Sequence, residues 1–250
     1  MAETSPANPA AYPPLDVVKP VAEGVWLVDS GPLHVMGQPL PLRMTVIRLA
    51  DGAMWLHSPT RYDARLRREI EAHGPIRHLV APNSAHWVFL DEWQRACPEA
   101  TLWTAPGLRE RAQARRAGLR FDRDLADFAP EAWAEEIEQV IIQGGAGFRE
   151  VEFFHRPTRT LVLTDLVVNL EPDRLPPLVR PFARLAGTLA PDGRAPIYLR
   201  AVILLRRREA RAAARRLVAL DPERVIFAHG RWFERDGAAG LRRSLRWLLP

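Results

Sequence analysis

The sequence predicts a layered α/β sandwich, and three observations point to it. Strand patterns joined as hairpins come first, helix and strand then alternate, and hairpins and helices follow again towards a helical C-terminal segment. Too many consecutive strands lack an intervening helix for a regular doubly wound sheet. At 250 residues the chain can bury a large core, and nothing in its length demands a second domain. The expected organisation is a mobile Pro/Ala-rich tail over residues 1–15 followed by one domain over 16–250.

Taken in order, AEGVWLVD (22–29) reads as a strand rich in β-branched and aromatic residues. A Gly/Pro-rich connection, SGPLHVMGQPLP, follows it. MTVIRL and AMWLH are two strands joined at Ala50-Asp51-Gly52, a hairpin turn. Leu66 and Ile70 share one face of a helix over 62–73 that Gly74 ends. HLVA (78–81) is a strand, residues 89–97 a helix closed by Pro98, and ATLWTA (100–105) a strand. Pro106 suits the first turn of a helix running to about Ala117. IEQVIIQ (137–143) is a strand ending in Gly144-Gly145-Ala146-Gly147, and REVEFF and TLVLTD form a hairpin around residues 156–159. After a Pro-rich stretch come an Arg-rich helix (about 200–219), a late buried strand VIFAHG (225–230) and a C-terminal helix from Ala238.

Bulk properties exclude several classes of function. No stretch approaches the roughly 20 apolar residues that span a bilayer, so no membrane partner is expected. The first residues lack a basic start and an apolar run, so no secretory signal is expected and a cytoplasmic location fits best. A single cysteine, Cys97, rules out internal disulfides and Cys-based zinc modules, and it reads as a buried thiol. Trp55, Trp87, Trp93 and Trp103 fall within strand or helix patterns and read as packing residues. The net charge of +5 and pI near 10.2 invite a nucleic-acid reading. The basic residues are almost all Arg and are interspersed with Asp and Glu, however, and the run at Arg206–Arg208 with Arg211, Arg215 and Arg216 has helical spacing. A solvated helix face accounts for that run, and nucleic acid is not an expected partner. Gly144–Gly147 lies between two strands rather than before a helix, which removes it as a phosphate cradle.

Polar residues gather where strands end. His57 ends AMWLH, Asn83 and His86 lie just past HLVA, Asp165 ends TLVLTD, and His229 ends VIFAH. Functional groups of α/β folds collect at the carboxyl ends of strands, and three imidazoles with a carboxylate are ingredients of a metal site. Each residue taken alone has a plainer reading, a hydrogen-bonded strand end or a turn cap. His155 stands apart. In a tight hairpin it lies at the turn and Asp165 at the open end, about five residues or roughly 16 Å away. Ser58, next to His57, lacks the strand–turn–helix setting of a hydrolase nucleophile.

The series RMTVIRLADGAMWLHSP, HLVAPNSAHWVFLDEWQRACPEATLWTAPGL, FREVEFFHRPTRTLVLTDL and VIFAHG resembles a bacterial family of unknown function, DUF4336, within the metallo-β-lactamase-like superfamily. The resemblance covers roughly residues 20–235. It implies an αββα four-layer sandwich, with two mixed sheets packed face to face and helices outside. It also implies that the superfamily's HxHxDH loop survives here only as Asn83-Ser84-Ala85-His86-Trp87, that Gly144–Gly147 replaces a His-bearing turn, and that Asp165 and His229 match the bridging Asp and the last His. The implied ligand set is His86, Asp165 and His229, suited to one divalent ion, zinc or iron, beside which water becomes more acidic. Asn83 would orient water or substrate and His57 would support the site from behind. The expected function is a metal-dependent hydrolase with a reduced, mononuclear site acting on a small molecule. The alternative is a metal-free, non-catalytic sandwich that binds a small molecule or a protein partner.

Overall fold

The computed structural model describes residues 10–35 and 38–249. Residues 1–9 of the expected 1–15 tail lie outside the described residues; within its remainder Ala10 and Ala11 are buried rather than free of the domain. The elements run β1 (Lys19–Ala22), β2 (Val25–Val35), β3 (Gln38–Arg48), β4 (Met54–His57), α1 (Ala64–Glu71), β5 (Ile76–Ala81), α2 (Leu90–Ala96), β6 (Thr101–Thr104), α3 (Ala112–Arg116) and β7 (Arg123–Asp124). There follow β8 (Ile137–Gln143), β9 (Arg149–His155), β10 (Thr160–Val162), β11 (Val168–Asn169), α4 (Arg180–Ala186), α5 (Ile197–Leu204), α6 (Arg207–Ala219), β12 (Arg224–Ile226), β13 (His229–Gly230) and α7 (Gly237–Leu245).

A seven-stranded sheet is ordered β1-β2-β3-β4-β5-β6-β7, antiparallel up to β4 and parallel from β4 to β7. A four-stranded sheet is ordered β12-β10-β9-β8, and β11 pairs with β13 in a small parallel sheet. Strand alternation then builds the layers. Ile47, Trp55 and Val80 from the larger sheet meet Ile141, Val151, Phe153 and Ile226 from the smaller one in a shared central core. The opposite faces carry Met44, Val46, Leu56, Leu79 and Leu102 under the first three helices. On the other side Val140, Ile142, Leu161 and Phe227 lie under α5, α6 and α7. This is the αββα sandwich.

Helix patterning explains the outer layers. Leu66 and Ile70 form the buried stripe of α1, and Asp63 caps it by accepting from the Arg65 and Leu66 amides. In α6 the buried face is Ala210, Ala213, Ala214 and Leu217. Small side chains there let an otherwise arginine-rich helix lie close to β8.

Four elements differ from the sequence reading. The Gly/Pro-rich connection at 30–41 is a continuation of β2 and β3, paired to Val35↔Gln38 with an irregularity between Ser30 and Leu33. Beyond the stretches paired with β1 and β4 no further strand of the described residues pairs with the outer sides of this ribbon, so prolines without an N–H are tolerated there. The helix expected from Pro106 is reduced to α3 because Gly107 takes a φ of 91° that no helix accommodates. The single Arg-rich helix is two, α5 and α6, broken at Arg206 (φ −122°, ψ 44°). VIFAHG is divided too: β12 stops at Ile226, and His229 belongs to β13.

Candidate metal centre

The carboxyl ends of β4 and β5 in one sheet and of β10 and β12 in the other lie at one rim. Past β5, the Asn83 side-chain oxygen accepts from the Ala85 and His86 amides at 2.8 and 3.0 Å. That turn swings the His86 imidazole back over the sheet edge. Past β10, the Glu150 carboxylate accepts from the Thr164 and Leu166 amides, both at 3.0 Å, and so fixes the backbone on either side of Asp165. His229 is held by β13 pairing with β11. Gly230 (φ 95°) is required beside it, since a Cβ there would meet the Asn169 carbonyl at 2.2 Å. The Arg43 guanidinium donates to the Phe227 and Gly230 carbonyls at 3.0 and 2.7 Å and pairs with Asp29 at 2.6 Å, fastening this loop to the ribbon of β2 and β3.

These supports bring three predicted residues together. His86 Nε2 is 3.4 Å from Asp165 Oδ2, and His229 Nε2 is 3.3 Å from Asp165 Oδ1. One nitrogen or oxygen from each of the three lies within 4.8 Å of the others. The His229 Nδ1 is 2.7 Å from the Pro41 carbonyl, a bond in which only the ring N–H can donate. In the neutral ring Nε2 is then a bare acceptor facing a carboxylate oxygen, and two acceptors at that distance need a proton or a cation between them. His86 Nδ1 is held 2.6 Å from Ser58 Oγ, a hydroxyl that serves either tautomer by donating or accepting. The donor set, two ring nitrogens and one carboxylate oxygen with the far side of each imidazole already bonded, fits a divalent ion.

Electrostatics make the cluster attractive to positive charge, whether a proton or a cation. Burial alone would raise the Asp165 pKa, yet His86 and His229 outweigh it and hold the carboxyl well below its ordinary range. Burial works against a charged His86, but Asp165 and then Glu150 overcome it and raise that pKa. Glu150 is pushed up by burial and by Asp165, partly offset by the amides it accepts from.

Asn83 and His57 sit around this cluster in different ways. Asn83 is 1% exposed, and its amide nitrogen faces Asp165 Oδ2 (2.8 Å), Glu150 Oε2 (3.1 Å) and Thr164 Oγ1 (3.1 Å). Its hydrogen bonds are thus committed to the acids and the turn rather than to solvent. His57 points between the sheets, stacked on Trp55 at 5.6 Å and edge-on to Phe153 at 5.4 Å, with its Nε2 lacking a partner among the described residues. Burial and the neighbouring His86 depress its pKa, so it is neutral. His155 is at the far end of β9, bonded to Thr158 Oγ1 at 2.8 Å and lowered by burial to about 4. The Gly144–Gly147 turn packs on α5, the Gly145 amide donating to the Val202 carbonyl.

Sequence reasoning missed Ser58, Glu150 and the Arg43–Pro41 strap. Glu150 had a signal. Both faces of β9 are covered in a four-layer sandwich, so the acids of REVEFF had to be buried. Ser58, at a φ of 52°, follows a strand whose end was already marked. The triad opens into a cleft of about 160 Å³. Leu33, Leu40 and Leu42 of the ribbon wall one side, Trp87, Val88 and Phe89 another, and Tyr198 of α5 a third.

Residues 23–186 match the profile of a family described as "Domain of unknown function (DUF4336)". That span contains His86 and Asp165 and ends before His229. No curated protein sequence matches the chain. Among solved structures, a metallo-β-lactamase from Pontibacter korlensis is similar with a TM-score of 0.63 at 15% identity, covering 92% of this chain and 97% of that one. The metallo-β-lactamase FIM-1 from Pseudomonas aeruginosa, in its mono-zinc form, aligns with a TM-score of 0.60 at 14% identity over 94% of this chain and 96% of its own. Rubredoxin oxygen:oxidoreductase from Desulfovibrio gigas gives 0.65 at 13% identity over 92% of this chain and 61% of its own. At such identities the likeness shows the metallo-β-lactamase fold.

Proposed function

Since the chain belongs to the DUF4336 family, whose function is undefined, we propose from its own site that it binds one divalent ion and hydrolyses a small-molecule substrate. His86, Asp165 and His229 would hold the ion, zinc or iron by the chemistry of two imidazoles and a carboxylate. The observation that carries this is His229 Nε2 facing Asp165 Oδ1 at 3.3 Å while its Nδ1–H is committed to Pro41. FIM-1, of the same fold, is described in a mono-zinc form, so a single zinc is compatible with this architecture.

When bound, such an ion supplies Lewis acidity for polarising an acyl or phosphoryl oxygen. The chain's own residues do the rest. Asn83 and Glu150 hold Asp165 in place, and Ser58 orients the His86 ring. The leucines of the ribbon and Trp87 exclude water and receive an apolar part of the substrate. Calorimetric titration with zinc tests the binding: one site per chain is expected, absent in Asp165→Ala. Hydrolysis of p-nitrophenyl butyrate by the loaded protein, lost in the same variant, tests the activity. Binding without turnover of any ester, lactone or phosphodiester would reduce the role to a metal-dependent ligand site.

A further inference from the structure

The large exposed apolar side chains are concentrated on one surface. Nine are exposed among the described residues, and seven of these lie between 178 and 205. Leu178, Phe182 and Leu185 lie on and just before α4, at 84, 65 and 74% exposure. On and just beyond α5, Ile197 and Leu204 are seven residues apart, as are Tyr198 and Leu205, so each pair shares a face. Arg200 of α5 donates to the Ala186 carbonyl at the end of α4, which joins the two helices into one surface. An eighth exposed residue, Val88, lines the metal-site cleft together with Tyr198. The apolar face therefore runs to the mouth of the cleft.

Charge selects among occupants. Residues 178–208 contain Arg180, Arg184, Arg194, Arg200, Arg206, Arg207 and Arg208 against one acid, Asp192, which is already paired with Arg243 and Arg246. Arg184, Arg206, Arg207 and Arg208 are exposed, the last two at the start of α6, while Arg180, Arg194 and Arg200 are half-buried; only Arg206 of the seven has a carboxylate partner among the described residues, Glu209 at 3.9 Å. A second copy docking by two-fold symmetry would press this arginine-rich face against itself. Nucleic acid would suit the arginines but leave the leucines and Phe182 facing phosphate. An anionic lipid surface satisfies both, taking apolar side chains into the acyl boundary and arginines at the headgroups.

We infer that the α4–α5 face docks on an anionic bilayer surface, which sets the cleft mouth at Tyr198 and Val88 against the lipid. The expectation of no membrane partner came from the lack of a spanning segment; no described helix is long and apolar enough to cross a membrane, and surface docking needs none. The inference does not depend on a bound metal.

Co-sedimentation of the full chain with vesicles tests it. With phosphatidylcholine vesicles containing about a third phosphatidylglycerol the protein pellets, and with phosphatidylcholine alone it stays in solution. Phe182→Ser with Leu185→Ser abolishes pelleting, while Arg184→Gln with Arg208→Gln weakens it roughly fivefold for each charge removed. These side chains project into solvent, so thermal unfolding temperatures are unchanged. Equal partitioning onto neutral and anionic vesicles, or pelleting indifferent to the paired serine variant, would overturn the proposal. So would a dimer in light scattering that the serine variant dissociates, or single-stranded RNA bound more tightly than the vesicles.

Discussion

His229 and Pro41, separated by 188 residues of chain, are joined by a 2.7 Å bond from the ring Nδ1–H to the carbonyl. The bond lets the ribbon of β2 and β3, a feature of the seven-stranded sheet, choose the tautomer of a residue in the small β11–β13 sheet. It leaves Nε2 for Asp165 or a cation, and it ties site geometry to the packing of the ribbon against β13.

In nitrogen-15 spectra of the metal-free protein, the neutral His229 ring carries its proton on Nδ1, and zinc shifts Nε2. A neutral ring protonated on Nε2 would remove the argument for a cation between His229 and Asp165.

Asn83 holds two carboxylates apart. Asn83→Ala leaves Asp165 and Glu150 facing each other without the amide between them. We expect a loss of about 1–3 kcal/mol in urea unfolding, the usual cost of an unsatisfied buried group. Zinc affinity should fall by roughly 10–100-fold as the acid loses its support. Unchanged affinity would mean that Asp165 is positioned by Glu150 alone.

Ser58 acts on the imidazole and on the backbone. Ser58→Ala removes the bond to His86 Nδ1 while keeping a Cβ at a φ of 52°, whereas Ser58→Gly removes both. Both variants should weaken zinc binding by roughly 10-fold or more, with the glycine variant the more stable of the two. Wild-type affinity in either would detach Ser58 from the site.

Strand-end logic found the three clustered residues because each lies within five residues of the carboxyl end of β5, β10 or β12, and a sandwich aligns those ends at one rim. The same logic could not find Pro41, whose contribution is a backbone carbonyl, nor the division of VIFAHG, since the turn between Ile226 and His229 carries no Gly or Pro to mark it. The α5–α6 break was equally hidden. Arg206 ends one helix and begins another through backbone angles alone, in a run whose composition favours helix throughout. The apolar face on α4 and α5 lay in a stretch read as Pro-rich connection and solvated helix, because sequence periodicity does not show which apolar residues a neighbour covers.

Glu152 gives the pH dependence. It is fully buried on β9, and burial, then Glu150 and Asp165, push its pKa well above 4.5. The folded state thus holds a proton that the unfolded state has released once the pH exceeds 4.5, so this group makes stability fall as pH rises through that window. Glu152→Gln removes the ionisation. Its stability advantage over wild type in urea unfolding should grow between about pH 5 and about pH 8. A constant difference across that range would show that Glu152 is already ionised in the folded chain.

Metal content tests the central claim most directly. After loading with zinc and desalting, elemental analysis should find one metal per wild-type chain and almost none in Asp165→Ala or His229→Ala, with chelation lowering the unfolding temperature of wild type alone. Wild-type protein holding far less than one metal per chain, or holding as much as the two variants do, would contradict a metal centre at His86, Asp165 and His229 and leave a metal-free sandwich that binds its ligand through the cleft.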